Sequence, residues 1–147
     1  MNATRLLQFS RQFGAYCGRR FAPLSQRYHL SMREIDVLLF LANNPCYDTA
    51  RDITEYRGIS KSQVSQAVDL LTEQGFLARS ADAEDRRVIH LSITKEGLPV
   101  ARACQDIQSD CGRALFAPLS QEQQAQFQSL WDILLENGAR LAEEVPV

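Results

Sequence analysis

Hydrophobic residues recur at steps of three and four over much of the chain, which places them on one face of a helix. The first such stretch runs from Leu6 to Tyr28 and predicts an amphipathic helix that bends or breaks near Pro23. A second stretch begins after Ser31, which has capping-box spacing from Glu34, and ends at Asn43-Asn44-Pro45. Both helices carry an apolar face that needs a partner surface.

Two short helices with the spacing of a helix-turn-helix motif follow. Thr49 with Asp52 and Ser60 with Gln63 have capping-box spacing, and Gly58 suits the turn where the first helix stops. The inward face of the second helix is apolar, with Val64, Ala67, Val68 and Leu71. Its outward face is small and polar, so this helix is suited to enter a groove.

A β-hairpin with a charged tip is predicted next. Residues 76–80 form the first strand, residues 82–87 form a polar turn, and residues 88–93 form the second strand, where apolar side chains alternate with His90 and Ser92. A helix-turn-helix motif followed by such a hairpin is a winged helix.

Two further helices are predicted after the hairpin. The first starts at Thr94 and runs to Pro118, with a heptad-like seam made of Val100, Cys104, Ile107, Cys111 and Ala114. The last begins at Ser120, which has capping-box spacing from Gln123, and carries Phe127, Leu130 or Trp131, Leu134, Asn137 or Gly138 and Leu141 on one side. Residues 143–147 are expected to be a frayed tail. The terminal helices carry more apolar surface than a small winged unit can cover, so we expect a homodimer built from them.

The predicted fold is therefore mainly α with a small β-hairpin wing, in a single domain of residues 1–147. Residues 31–94 form the winged helix-turn-helix lobe, and residues 1–30 and 95–147 supply the dimerisation helices. A chain of 147 residues can bury a core, and a second independent domain is not expected. With no apolar run of membrane-spanning length and no signal-peptide block, we expect a cytoplasmic protein that does not bind membranes.

The net charge of −2 argues against a protein that coats nucleic acid nonspecifically. The charges are nevertheless unevenly distributed along the chain. Residues 1–33 contain arginines and no acid, whereas acids predominate from residue 117 onward. The simplest account is that the two ends pack together, within a subunit or across a dimer. A basic N-terminal face that touches DNA is the alternative.

No metal, cofactor or catalytic site is expected. The chain has only two histidines, no Cys-x-x-Cys pair, no glycine-rich phosphate loop and no nucleophile set beside a base. Its cysteines are Cys17, Cys46, Cys104 and Cys111. Buried thiols in a reducing cytosol are the favoured interpretation, and a redox sensor or a disulfide between subunits is the alternative.

Four segments of the winged unit together resemble MarR-type transcriptional regulators. They are residues 59–65 (ISKSQVS), 70–77 (LLTEQGFL), 82–87 (DAEDRR) and 91–97 (LSITKEG). The resemblance implies a dimeric regulator that binds a pseudo-palindromic double-stranded operator, typically as a repressor that a small-molecule or redox signal releases. It also places the N-terminal helix partly in the dimer interface.

Candidate DNA contacts lie on the second short helix and the hairpin. A glutamine can bridge N6 and N7 of adenine and a serine can pair with either partner, so Gln66 and Ser62 are the first candidates. Gln63 and Ser65 come next, although Gln63 is equally suited to capping its own helix.

Cations that fit contacts with phosphates are Arg57, Lys61 and Arg79. At the hairpin tip, the resemblance assigns Arg87 to the minor groove and Asp85 to holding the tip in shape by pairing with an arginine. Arg86 is the other cation available there.

The resemblance further implies an effector cleft between the winged lobe and the dimer helices. Residues near its expected position are Tyr16, Tyr28, His29 and Arg33, all of which are equally compatible with ordinary packing or surface roles. The alternative function is a winged-helix module that binds protein without specific DNA binding. It is favoured by the balance of five cations and five acids between Arg57 and Arg87, whereas the polar helix face and the paired arginines argue against it.

Overall fold

The computed structural model describes residues 2–144 and confirms a mainly helical fold with one antiparallel hairpin. In chain order its elements are α1 (Ala3–Tyr28), α2 (Met32–Asn43), α3 (Ala50–Arg57), α4 (Lys61–Glu73), β1 (Leu77–Ala81), β2 (Ile89–Ile93), α5 (Gly97–Phe116) and α6 (Gln121–Glu144). Glu143 and Glu144 of the expected tail belong to α6, and residues 145–147 lie outside the described residues.

Helix α1 runs without interruption through Pro23, so the expected break is wrong. Proline removes one helical hydrogen bond but holds φ at a helical value, and one lost bond in a long helix can be tolerated. Phe21 and Leu24 on either side are buried and keep this turn packed against the core. The helix ends instead at His29, whose φ of 54° is left-handed.

The described contacts divide the chain into two compact units, Met1–Cys111 and Gly112–Val147. The first unit contains the winged lobe together with α1 and most of α5. The second contains the end of α5 and all of α6. The single domain with a winged lobe at residues 31–94 remains a prediction.

Helix α2 is the centre of the first unit. Its side chains are buried on nearly all sides, which is the pattern of a helix surrounded by other elements; they are Ile35, Val37, Leu38, Leu39, Phe40 and Leu41. Val100 and Cys104 of α5 belong to the same core cluster, and Cys111 is also buried. The heptad-like seam of α5 is therefore largely buried in the core of its own chain.

The hairpin is joined to its neighbours at both ends. Strands β1 and β2 pair antiparallel with Arg79 opposite Leu91, and an isolated bridge joins His90 to Thr49 just before α3. At the other end, the Thr94 N–H donates to the Phe76 carbonyl at 3.0 Å. These bonds fix the wing beside the helix-turn-helix motif.

Helix α6 of the second unit begins at the predicted capping box. The Ser120 N–H donates to Gln123 Oε1 at 2.9 Å, and the Gln123 N–H donates to Ser120 Oγ at 3.2 Å. From Gln121 to Glu144 no residue is buried, and Leu130 and Leu134 are 64% and 61% exposed. The helix thus carries an exposed apolar stripe among the residues that the structure describes.

Candidate nucleic-acid interface

Capping and turn residues fix the two helices of the motif. Thr49 Oγ1 accepts the Asp52 N–H at 3.2 Å and Asp52 Oδ2 accepts the Thr49 N–H at 3.0 Å, so the predicted capping box of α3 is complete. Gly58 ends α3 with a left-handed φ of 61°, a conformation that glycine adopts without a steric penalty. The turn then delivers Ser60 as the N-cap of α4.

Helix α4 has the two faces that its sequence predicted. Val64, Ala67 and Leu71 are fully buried. Ser62, Ser65 and Gln66 are exposed on the outer face. The small hydroxyl and amide side chains are thus held at the surface by a rigid apolar anchor, which is the arrangement a base-reading helix needs.

The Ser60–Gln63 pair forms only half of the predicted capping box. Ser60 Oγ accepts the Gln63 N–H at a long 3.4 Å, and in residues 2–144 no return bond from the Gln63 side chain to Ser60 accompanies it. Ser60 Oγ lies 3.3 Å from Ser62 Oγ instead. The Gln63 amide is therefore not committed to capping, which favours the DNA-contact alternative for this residue.

Two of the three proposed phosphate contacts already have acidic partners. Arg57 Nη2 lies 2.8 Å from Asp36 Oδ1, and Arg79 forms an ion pair with Asp69 of α4. Both pairs are partly exposed, so they are weak enough to exchange for a phosphate.

Lys61 stands beside a groove between α4 and the hairpin. The groove has a volume of about 360 Å³ and is lined by Ala50, Lys61, Ser65, Val68, Arg79, Ala81, Ile89 and Leu91. Its floor is apolar and its rim carries the two cations Lys61 and Arg79. The first turn of α4 and the wing therefore belong to one continuous surface.

Asp82 organises the tip of the wing. Its Oδ1 accepts the N–H groups of Glu84 and Asp85, each at 2.8 Å. Hydrogen bonds lower the pKa of Asp82 to about 2. The bond from the Asp85 N–H has the largest effect, followed by the bonds from the His90 side chain and the Glu84 N–H. The turn closes where the Val88 N–H donates to the Asp85 carbonyl at 2.9 Å.

Asp85 holds Arg87 rather than Arg86. Arg87 Nε donates to Asp85 Oδ1 at 3.1 Å and Arg87 Nη2 donates to Asp85 Oδ2 at 3.2 Å, which lowers the pKa of Asp85. The Arg87 side chain is nevertheless 91% exposed. The wing therefore projects an oriented arginine into solvent, and Arg86 beside it is also exposed.

His90 is a contact residue that sequence reasoning missed. Its Nδ1 lies 2.8 Å from Asp48 Oδ1, and its Nε2 lies 3.1 Å from Asp82 Oδ2. Alternation along β2 identified His90 only as a polar position. Both acids precede His90 in the sequence, by 42 and 8 residues, so no local pattern marks the pairing. It requires knowing that β2 lies against the segment before α3.

Three of the four proposed effector residues lie near the α1–α2 connection. The Tyr28 ring packs edge-on against Phe76 with centroids 6.0 Å apart, His29 is exposed, and Arg33 is half-buried in the first turn of α2. Tyr16 is twelve residues before Tyr28 on the same helix, about 18 Å by helical rise. The structure therefore does not gather all four residues, and the effector site stays a prediction.

The cysteines are all free thiols and differ in accessibility. Cys46 is exposed, whereas Cys104 is buried and burial raises its pKa to about 11. Burial and a hydrogen bond with Cys111 raise the pKa of Cys17. Within residues 2–144 no group of three or more His, Cys, Asp or Glu residues could hold a metal ion, and no helix there is long and apolar enough to span a membrane.

Comparison with known sequences gives one family. A model of the MarR family matches residues 29–88, which include α2, α3, α4, β1 and the wing turn. The HTH-type transcriptional regulator PecS of Dickeya dadantii is 26% identical over 114 residues, covering 76% of this chain and 69% of that protein. The homoprotocatechuate degradative operon repressor of Escherichia coli is 22% identical over 126 residues, covering 86% of this chain and 84% of that protein.

Solved structures share the whole fold. The transcriptional regulator PA3341 superposes with a TM-score of 0.77 at 28% identity, covering 93% of this chain and 97% of that one. The S. aureus MepR–DNA complex superposes with a TM-score of 0.72 at 17% identity, covering 92% of this chain and 96% of that one. Together with the capped helix-turn-helix motif and the wing, these matches identify residues 29–88 as a MarR-family segment, in a chain that has the winged helix-turn-helix fold of the regulators named above.

Proposed function

We propose that this regulator represses transcription by binding a pseudo-palindromic operator as a homodimer, with α4 in the major groove and the wing in the minor groove. The observation that carries the proposal is the continuous surface formed by the exposed polar face of α4 and the oriented, exposed Arg87. Repression is proposed because the E. coli relative is named as a repressor.

Each side chain of this surface has a proposed role. Gln66, Ser62, Gln63 and Ser65 contact base edges, because amide and hydroxyl groups match the donor and acceptor pattern of the major groove. Lys61, Arg57 and Arg79 contact phosphates, the last two after giving up their acidic partners. Arg87 enters the minor groove, Asp85 orients it, and Arg86 neutralises the adjoining backbone.

The homodimer is proposed from uncovered apolar surface at both ends of the chain. In α1, Leu6, Leu7 and Phe9 are 51%, 71% and 46% exposed. In α6, the stripe that contains Leu130 and Leu134 is equally uncovered. Exposed apolar stripes of this kind mark interaction sites, and a symmetric dimer matches a two-fold symmetric operator.

Release by an effector and a cytoplasmic location complete the proposal. The effector, a small molecule or an oxidant, would act near Tyr16, Tyr28, His29 and Arg33 or at a cysteine. The protein acts by binding alone, without catalysis. A protein-binding module is not favoured, because the relatives and structural neighbours named above are transcriptional regulators or repressors.

Selection from pooled promoter duplexes tests the proposal. The purified protein should retain a two-fold symmetric site, and its affinity should fall with salt because phosphate contacts release counterions. A well-folded protein that retains no sequence above background at low salt would contradict operator binding.

Arg87→Ala tests the surface itself. It should weaken binding to the selected site and reduce the slope of log K against log salt by about 0.9 for each arginine that no longer neutralises a phosphate. Arg102→Ala is the matched control, because Arg102 is an exposed arginine on α5 outside the winged segment. Equal affinities for Arg87→Ala and the wild type would remove the wing from the contact surface.

A further inference from the structure

His90 connects two elements that contact DNA in the proposed complex. Asp48, on its Nδ1 side, belongs to the segment that leads into α3. Asp82, on its Nε2 side, begins the turn at the wing tip. A single imidazole ring thus bridges the helix-turn-helix motif and the wing, in addition to the strand bridge between His90 and Thr49.

Both contacts of the ring require a proton. A neutral imidazole has one N–H and one bare nitrogen, so one carboxylate would face a lone pair instead of a donor. The imidazolium donates to both. In agreement with this geometry, hydrogen bonds to Asp48 and then Asp82 raise the pKa of His90 above its ordinary value of 6.5, against the opposing effect of desolvation.

Within residues 2–144, the charged groups that act on His90 are the carboxylates of Asp48 and Asp82. Opposite His90 on β1 is Ser80, and the residue bridged to it before α3 is Thr49, both uncharged. The nearest cation in sequence on β1 is Arg79, which pairs with Asp69 of α4. The pair of carboxylates therefore dominates the titration of the ring.

The bridge continues from Asp82 to the exposed arginine. Asp82 Oδ2 contacts His90 while Oδ1 accepts the backbone N–H groups of Glu84 and Asp85. The Asp85 carboxylate then holds the Arg87 guanidinium. A continuous series of polar contacts thus runs from the start of α3 to the side chain at the wing tip.

We propose that His90 is a positioning residue for DNA binding: with both ring nitrogens protonated it holds the wing against the helix-turn-helix motif, and loss of one proton weakens the operator complex. The proposal rests on the proposed contact between Arg87 and DNA. Its consequence is that operator affinity falls as pH rises through the pKa of His90. Each pH unit above that pKa lowers the protonated fraction about tenfold.

The test is the dissociation constant of the selected operator duplex from about pH 5.5 to about pH 8.5 at fixed ionic strength, the range in which histidine changes charge. For the wild type we expect log Kd to rise with pH, at up to about tenfold per pH unit for each proton lost. His90→Gln should bind weakly with a flat profile. Arg102→Ala, whose exposed arginine lies on α5 outside the winged segment, is the control and should follow the wild type.

Superimposable pH profiles of the wild type and His90→Gln would overturn the proposal. The Arg87→Ala variant separates positioning from a simple effect of charge. If His90 acts through the wing, the pH dependence disappears when Arg87 is absent. A pH dependence that survives in Arg87→Ala would show that His90 does not act through the wing and would equally overturn the proposal.

A measurement on the wild type keeps the proposal testable if His90→Gln does not fold. Because linkage is reciprocal, operator binding must raise the pKa of His90 more than the pKa of His29. NMR of the ring protons of both histidines measures the two pKa values with and without the operator duplex. Equal shifts overturn the proposal. If Arg87→Ala binds like the wild type, the proposed wing contact fails and this inference fails with it. If Arg87→Ala binds weakly while wild type and His90→Gln share one pH profile, only the role of His90 fails.

Discussion

Replacing Leu134 by alanine should separate the subunits of the proposed dimer while leaving each subunit folded. Leu134 lies on the apolar stripe of α6 and is 61% exposed within its own chain. The substitution therefore removes little that stabilises the monomer. It removes apolar surface that a partner subunit covers in the proposed dimer.

The magnitude follows from the surface that is lost. Leucine to alanine removes three carbons, worth about 2.4 kcal/mol at about 0.8 kcal/mol per buried CH₂. With 61% of the side chain available to a partner, the loss is about 1.5 kcal/mol per subunit, or about 3 kcal/mol for two subunits. At about 1.4 kcal/mol per factor of ten, the dimer dissociation constant rises about a hundredfold.

Sedimentation equilibrium over a dilution series measures this constant. Glu136→Ala is the control, since position 136 lies about 200° around the helix from Leu134, and it should leave the constant near that of the wild type. Urea unfolding of the Leu134→Ala monomer checks that the subunit remains folded. An unchanged dissociation constant for Leu134→Ala would show that α6 is not the dimer surface.

Three further predictions concern stability and reactivity. Gly97→Ala should lower the urea midpoint of unfolding, because the added Cβ would collide with a backbone carbonyl oxygen, and an equal midpoint would contradict this. The backbone bond from Asp85 holds the pKa of Asp82 at about 2, below its ordinary value of 3.8, so the wild type should melt higher than Asp82→Asn above pH 3.8. That difference should vanish as pH falls through about 2, and a constant difference in thermal unfolding would count against it. Iodoacetamide should modify exposed Cys46 first and buried Cys104 last, as followed by peptide mass spectrometry.

Features encoded within a few residues were predicted well. The capping boxes at Ser31, Thr49 and Ser120 formed with both of their bonds, because each needs only the helix start and a side chain three residues on. At Ser60 the spacing is identical, but within residues 2–144 the Gln63 side chain does not bond back to the Ser60 backbone. Spacing permits that bond, whereas the Gln63 rotamer decides whether it forms.

Features that depend on distant residues were not predicted. The partner of Arg57 is Asp36, which is 21 residues away, and that of Arg79 is Asp69, which is ten residues away. From the sequence, both arginines were predicted only as cations that could contact phosphates. The contacts of His90 were not predicted for the same reason, since Asp48 is 42 residues and Asp82 eight residues away from it in the chain.

The surface that covers the apolar seam of α5 could likewise not be predicted from the sequence. A heptad-like pattern states that one face of a helix is buried, and it does not state which surface covers it. Val100 and Cys104 proved to face the core of their own chain. For α6, both the apolar stripe and its use in a homodimer were predicted from the sequence. The structure shows the stripe exposed, and the homodimer stays a prediction.

The start of α5 is bonded directly to the base of the hairpin. The Thr94 hydroxyl donates to the Gly75 carbonyl at 2.6 Å and accepts the Gly97 N–H at 3.0 Å. The Thr94 N–H donates to the Phe76 carbonyl, against which Gly97 also packs closely. These bonds tie the first turn of α5 to the base of the hairpin through the backbone and one hydroxyl. The direction in which the wing leaves the core is therefore set partly by α5, a helix that carries none of the proposed DNA contacts.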